Sequence, residues 1–200
     1  MAQIKILAGL YKGRNIKFDD QVLNLRPTLS RIKETLFNWL GQYINNYRVL
    51  DLFAGSGSLG FEALSRGAKL VIMLDNNKQV INHLNANKKN LAISNQNLIT
   101  IHTDAIIYIN ELLQQQNNIQ LQDFDLFFLD PPYEQYNLII ELLNIIRNIK
   151  RNKPICIYFE TKKIFTTKII ECAQSLDYII IKEKNTRTLS YILLKLPLAS

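Results

Sequence analysis

The chemistry-bearing residues of this chain gather at four aspartates, each with a distinctive set of neighbours. The first, Asp51, leads into Leu52-Phe53-Ala54-Gly55-Ser56-Gly57-Ser58-Leu59-Gly60. Glycines at this spacing permit a tight turn and let a ligand approach the backbone closely. Many nucleotide binders share such a run, so the acid ahead of it is the informative residue. A pyrophosphate must reach the helix N-terminus at this point, and a carboxylate there would repel it. Asp51 suits a cationic group instead, such as the amino group of S-adenosylmethionine, with Phe53, Ala54, Gly55 and Gly57 completing the loop. The second aspartate is Asp75, followed by Asn76, about 20 residues past the glycines, where a carboxylate can accept hydrogen bonds from ribose hydroxyls. The third is Asp104, followed by Ala105, where an adenine amino group could donate. Asp75 and Asp104 are also at home as helix N-caps, and a glycine turn can exist without a ligand.

The fourth position is Asp130-Pro131-Pro132-Tyr133, directly after an apolar segment. Two prolines fix the backbone and remove two N–H donors, leaving the Asp130 carboxylate and nearby carbonyls as a set of acceptors. Their natural guest is a group rich in N–H donors. The exocyclic amino group of a base is a poor nucleophile because its lone pair is delocalised into the ring. Acceptors that hold its hydrogens pyramidalise the nitrogen and aim the lone pair at an electrophile, catalysis by positioning and electrostatics. Tyr133 offers a flat face to the base, a contact worth roughly 1–3 kcal/mol.

Open α/β sheets bind ligands outside the carboxyl ends of their strands, and the pattern around the four aspartates predicts such a sheet. Strands are expected at 48–53, 69–74, 98–102, 124–129 and 154–159, alternating with helices at 58–66, 77–90, 106–114, 138–149 and 163–175. Two final strands, 178–182 and 189–196, have no helix between them and form an antiparallel hairpin at one edge. The class is therefore α/β, a mainly parallel seven-stranded sheet covered on both faces. Residues 1–47 do not follow the alternation. Short strands at 3–8 and 14–18, then a helix from Ser30 to Gly41 with Ser30 as its N-cap, make a small N-terminal hairpin-and-helix extension. The expected organisation is an extension over 1–47 and one domain over 48–200. The polar stretch 114–122 reads as a connecting loop.

Composition narrows the class. At 200 residues, 48% hydrophobic and 20% charged, the chain is neither disordered nor a small disulfide scaffold. No stretch approaches the ~18 apolar residues of a membrane span, and the N-terminus lacks a signal-peptide pattern. The two cysteines, Cys156 and Cys172, have no metal-ligand spacing, so no metal is expected and a reducing cytoplasm is the default location. The net charge of +7 divides as +5, +2, −5 and +5 over successive fifty-residue quarters. Basic ends around an acidic stretch suit a protein that holds phosphates and does its chemistry elsewhere. Lys12, Arg14 and Lys17 on the basic extension, with Lys182, Lys184 and Arg187, are the candidate phosphate contacts.

The order of an acidic strand end with a glycine loop, a second-strand acid and DPPY resembles the class I S-adenosylmethionine-dependent methyltransferases that act on amino groups, and implies their Rossmann-like fold. Ile6-Leu-Ala-Gly9-Leu-Tyr-Lys-Gly13-Arg14, followed by Leu25-Arg26-Pro27-Thr28-Leu-Ser-Arg31-Ile-Lys-Glu34-Thr35-Leu-Phe37-Asn38-Trp39-Leu40, resembles the RsmD family. That resemblance implies methylation of N2 of guanine-966 in 16S ribosomal RNA, with the small subunit or its assembly intermediate as partner and a monomeric enzyme. It implies a methionine-end loop at Asp51, Gly55 and Gly57, a ribose acid at Asp75, an adenine-side acid at Asp104, a catalytic motif at Asp130 to Tyr133, and an N-terminal signature at Arg26, Thr28, Arg31 and Glu34 that helps hold the RNA or order the site. Two departures stand out. Asn77 replaces the usual Asp, and residues 185–191 lack the glycine common in the last hairpin.

Several rivals are open to the sequence, among them a glutamine-N5 protein methyltransferase, which usually has Asn in place of Asp130. A DNA adenine-N6 or cytosine-N4 methyltransferase can share DPPY, but this short chain shows no separate sequence-reading segment. A non-catalytic ribosome-assembly protein would not need an intact acceptor motif. A nicotinamide dehydrogenase would make DPPY a coincidence. His83 and His102 are expected to be structural.

Overall fold

The computed structural model describes residues 2–19, 30–41, 44–114 and 119–198, in two compact units, Met1–Ala105 and Ile106–Ser200. The first unit opens with an antiparallel hairpin, β1 (Ala2–Lys5) and β2 (Asn15–Phe18), followed by α1 (Ser30–Trp39). Then β3 (Arg48–Asp51), α2 (Ser58–Ser65), β4 (Leu70–Asp75), α3 (Lys78–Asn90) and β5 (Leu98–His102) alternate. β4 pairs in parallel with β3 and with β5. Its Leu-Val-Ile-Met-Leu run is buried at every position, as expected of a strand covered on both faces.

The border between the units falls at the start of α4 (Ala105–Leu113). The second unit continues with β6 (Leu126–Leu129), α5 (Tyr136–Arg147), β7 (Ile155–Lys162), α6 (Lys163–Ser175), β8 (Ile179–Asn185) and β9 (Leu189–Leu196). β6 and β7 are parallel; β9 runs antiparallel to β7 and to β8. The seven strands β3 to β9 belong to one sheet, in the order β5-β4-β3 in the first unit and β6-β7-β9-β8 in the second. The expected α/β class, with its mainly parallel sheet and antiparallel edge hairpin, is what the chain adopts.

Several boundaries differ from expectation for physical reasons. β7 runs three residues past Phe159, because Glu160 and Thr161 are buried by neighbouring strands rather than solvated. Phe124 lies outside β6; it follows a short 3-10 turn, Leu121–Asp123, closed by a capping box between Gln120 and Asp123. The polar loop thus ends in an ordered turn, and its residues 115–118 lie outside the described set. The last hairpin manages without glycine. The Thr186 amide donates to the Leu189 carbonyl at 2.8 Å, and the Thr186 hydroxyl accepts from the Leu189 amide at 3.0 Å. No residue of this turn has a positive φ, so a β-branched side chain fits. The side chain of Ser30, the expected N-cap of α1, also lies outside the described residues.

A buried ionic hub ties the N-terminal hairpin and α1 to α2. Glu62, fully buried on α2, accepts from the amides of Leu7 (2.8 Å) and Ala8 (3.1 Å). It also meets Arg66 Nε at 2.8 Å and Lys33 Nζ, from α1, at 3.2 Å. Lys33 is itself fully buried and donates to the Lys5 carbonyl at 2.9 Å. Burial pulls its ammonium below the usual lysine range, and Glu62 opposes that shift. The Arg66 guanidinium lies 4.8 Å from the centre of the Phe37 ring. At the far end of α2 the Ser65 hydroxyl accepts from the Tyr11 amide and donates to the Ala8 carbonyl. Gly9, at φ 81°, lets the chain pass so close that an added Cβ would sit 1.7 Å from the Ser65 carbonyl oxygen. A second anchor is the buried Asn87 side chain of α3, which pairs with both the amide and the carbonyl of Lys17 on β2.

Candidate active site

In the first unit the glycine loop joins β3 to α2. Asp51, the last residue of β3, is only 2% exposed. Ala54 donates to the Leu74 carbonyl at 2.8 Å, and Gly57 to the Ala54 carbonyl at 2.7 Å, which curls the loop against β4. Gly57 occupies the N-cap of α2 at φ 78° and provides no side-chain cap. An added Cβ there would lie 2.6 Å from Leu84 and 2.7 Å from the Phe61 ring. Gly57 is thus required by close packing and by its positive φ, and the Ser58 amide at the helix start donates to the Ser56 hydroxyl at 3.3 Å. Beside it the Ser58 hydroxyl is buried without a hydrogen-bond partner among the described residues. Phe53 is half-buried and Ala54 buried.

Asp75 ends β4 and braces this loop. One oxygen accepts from the Gly55 amide at 3.0 Å, the other from the Asn77 amide at 2.9 Å. Burial pushes its carboxyl above the ordinary aspartate value, while those two amides and the His102 ring pull the other way. The N-cap of α3 is Asn77, whose side chain accepts from the Gln79 amide at 2.9 Å. Asp75 is thus not a helix cap, and Asn77 at the departing position has a structural task. Asn76 is exposed, and its carbonyl meets His102 Nε2 at 3.0 Å. Asp104 is half-buried and immediately precedes α4, which begins at the buried Ala105.

In the second unit Asp130 follows the wholly buried β6 and is itself half-buried. Burial pushes its carboxyl up to about 7. Pro131 is buried; Pro132 is exposed and starts a 3-10 turn, Tyr133–Gln135. The Pro132 carbonyl is engaged by the Gln135 amide at 2.7 Å, so it serves the turn. Tyr133 is half-buried. The turn is pinned outside by an ion pair of Glu134 with Lys162 at 2.6 Å. Behind it the Tyr136 ring stacks on Phe165 at 3.9 Å, joining α5 to α6.

Sequence reasoning missed a second carboxyl in this unit. Glu160 on β7 is 3% exposed and accepts from the Tyr158 hydroxyl at 2.9 Å. Its signal was present as a lone acid within the apolar run Ile-Cys-Ile-Tyr-Phe-Glu. Glu62, the sole charge in an entirely buried helix, carried a similar one. Of the candidate RNA contacts, Lys12, Arg14 and Arg31 are exposed in the first unit. Arg14 donates to the Asn90 carbonyl at 3.0 Å, at the C-terminal end of α3. Arg26 and Thr28 lie outside the described residues. Among the described residues no group of three or more His, Cys, Asp or Glu side chains could hold a metal, and no helix is long and apolar enough to cross a membrane.

Comparison with known proteins places this geometry in a family. A family model described as "Conserved hypothetical protein 95" matches residues 4–193. The ribosomal RNA small subunit methyltransferase D of Haemophilus influenzae is 40% identical over 193 residues, covering 94% of this chain and 92% of that one. The chain belongs to the small subunit methyltransferase D family. Solved structures agree with that family's fold. Escherichia coli yhhF, a methyltransferase by name, superposes with a TM-score of 0.77 at 28% identity, covering 97% of this chain and 98% of that one. Haemophilus influenzae HI0767, a methylase by name, gives 0.71 at 37% identity over the same shares. The RsmD resemblance read from the N-terminal signature and DPPY is therefore met, and the chain has the class I methyltransferase fold.

Proposed function

We propose that this protein transfers a methyl group from S-adenosylmethionine to the exocyclic N2 amino group of guanine-966 in 16S ribosomal RNA. The observation that carries the reading is the near full-length match to a ribosomal RNA small subunit methyltransferase D, in a chain that retains Asp130-Pro131-Pro132-Tyr133 directly after a buried strand. The first unit fits the cofactor on its own terms. Asp51 is a buried acid for the amino group, Gly57 gives α2 no side-chain cap, and the Ser58 hydroxyl lacks a partner among the described residues. Asp75 retains lone pairs for ribose hydroxyls, and Asp104 and Ala105 are assigned to the base end. When bound, the cofactor supplies an electrophilic methyl on a sulfonium centre.

The chain's own residues supply the rest. Asp130 accepts an N–H of the amino group and turns the nitrogen lone pair outward. Tyr133 offers its ring to the guanine, which must leave its stack to be reached. Lys12, Arg14, Arg26, Thr28 and Arg31, in a basic extension over residues 1–47, hold RNA phosphates. The protein acts as a monomer in the cytoplasm on the small subunit or its assembly intermediate.

The test is methyl transfer from labelled S-adenosylmethionine to small subunits lacking this modification, followed by digestion to nucleosides. Label in N2-methylguanosine at position 966 is expected, with Asp130→Ala inactive yet still binding cofactor. Label in DNA, in protein or at another nucleotide overturns the substrate assignment; cofactor binding without transfer to any acceptor overturns the catalytic one.

A further inference from the structure

The strands of the second unit set a row of ionisable side chains beside Asp130. β6 and β7 are parallel and in register from Leu126 opposite Cys156 to Leu129 opposite Phe159. Asp130 follows directly where that register ends, and it lies close enough to Glu160, the next residue of β7, for its charge to act there. On the other side of β7, Glu160 is paired with Tyr191 of β9. Residues abreast in a sheet point to the same face, so Glu160 and Tyr191 share one face, and the Asp130 charge reaches both. Tyr158, two residues earlier on β7, shares that face and donates its hydroxyl to Glu160 at 2.9 Å. Tyr158 is fully buried, and its ring stands at 89° to that of Phe128, 6.2 Å away on β6. Glu160 is 3% exposed, whereas Asp130 lies half-buried at the strand end.

We propose that Glu160 is a positioning residue for Asp130: it remains a neutral acid, held by Tyr158, and leaves the pair's single negative charge on Asp130. The proposal rests on the assignment of Asp130 to the amino group made above. Two carboxyls side by side in a buried site do not both ionise near neutrality, and they titrate as a pair. Burial and the neighbouring Asp130 charge both push Glu160 well above the ordinary glutamate value, against the pull of the Tyr158 hydroxyl. The ionisable groups that face Glu160 from its own and the adjoining strands are Asp130, Tyr158 and Tyr191. Both tyrosines are pushed upward by burial, then by Glu160 and Asp130, Tyr191 to about 12. They therefore stay protonated, and the row carries one charge at its open end.

This placement has a chemical consequence. In the transfer the nitrogen lone pair forms the N–C bond, the C–S bond breaks with its electrons going to sulfur, and the nitrogen sheds one proton. Asp130 takes that proton, giving a neutral pair. A carboxyl pushed up to about 7 accepts and later returns it to water near neutrality at little cost either way. Were the charge on Glu160 instead, the group facing the amino nitrogen would be an acid that donates rather than accepts.

The experiment is a carboxyl NMR titration of protein carrying side-chain 13C glutamate, with Glu160→Gln identifying the resonance by its loss. Glu160 is expected to remain protonated at pH 7 in the wild type and to ionise at lower pH in Asp130→Asn. A Glu160 already ionised at pH 6, or one whose titration is the same in Asp130→Asn as in the wild type, overturns the proposal. Methyl-transfer kinetics provide the second arm. Glu160→Gln, which is permanently neutral, is expected to keep kcat within about threefold, and Glu160→Ala to lose at least tenfold with the cofactor KM unchanged. A Gln variant as slow as the Ala variant refutes the neutral-acid role. Absence of transfer by the wild type would instead remove the proposed function and leave the NMR result to decide the pair.

Discussion

Replacing Glu62 by Gln tests whether the buried hub holds the first unit together. The carboxylate has two cations and two backbone amides to satisfy: Lys33 at 3.2 Å, Arg66 at 2.8 Å, Leu7 at 2.8 Å and Ala8 at 3.1 Å. An amide side chain has one acceptor oxygen and no charge. It strands the ammonium of Lys33, which is fully buried, and at least one backbone N–H. Removing one side of a buried ion pair costs about 3–5 kcal/mol, and an amide left without an acceptor costs about 1–3 kcal/mol. A loss of about 4 kcal/mol lowers Tm by roughly 8–16 °C in a chain of this size. Thermal unfolding followed by circular dichroism reads the shift, with Glu34→Gln, an exposed glutamate on the same α1 as Lys33, as a control expected within about 0.5 kcal/mol of wild type. Hydrogen exchange at Leu7 and Ala8 should accelerate in step. A Tm drop under about 2 °C would refute the reasoning, because the penalty for leaving a buried charge without its partner would then be absent.

Other outcomes follow from the same geometry. Because burial raises the Asp130 carboxyl to about 7, the folded chain binds its proton more tightly than the unfolded chain does. The Asp130 contribution to stability therefore falls as pH rises from about 4 to about 7 and is lost above that. Asp130→Asn should flatten that fall and raise Tm at pH 8 relative to wild type; a Tm difference independent of pH would contradict it. Gly57→Ala should lower stability, and cofactor binding with it, since its Cβ would meet Leu84 and Phe61 at a backbone φ of 78°; a variant as stable as wild type would count against that packing. Charge reversal at Arg14 and Arg31 should weaken RNA capture and reduce the salt slope by about 0.7–0.9 per lost phosphate contact, without altering cofactor affinity. An unchanged slope would remove these residues from the RNA surface.

The alternation of apolar strands and helices was legible because burial on both faces writes itself as continuous Val, Ile and Leu runs, as in β4. The placement of the glycine loop, Asp75 and DPPY at strand ends followed from that alternation. Illegible were the residues whose polarity contradicts their burial. Nothing in the pattern singles out Lys33 or Glu62, and the expected fifth strand ends before Glu160 and Thr161, because pattern reading equates polarity with exposure. Only partners distant in sequence make their burial tolerable: Glu62 for Lys33, and Tyr158 with the adjoining strands for Glu160. The helix-cap reading of Asp75 was likewise open until Asn77 proved to cap α3.

The hub also sets an order of events during synthesis. Leu7 and its partner Glu62 are 55 residues apart, and a ribosome adding about 5–20 residues per second needs roughly 3–11 s to make that interval. The N-terminal segment is thus born before its anchor, with the Lys33 ammonium still in water and the hairpin unable to dock. Docking waits for the whole of α2, the helix that also carries the glycine loop. The hairpin leaves the ribosome before the helix it docks on, and its settling signals that the loop helix is complete.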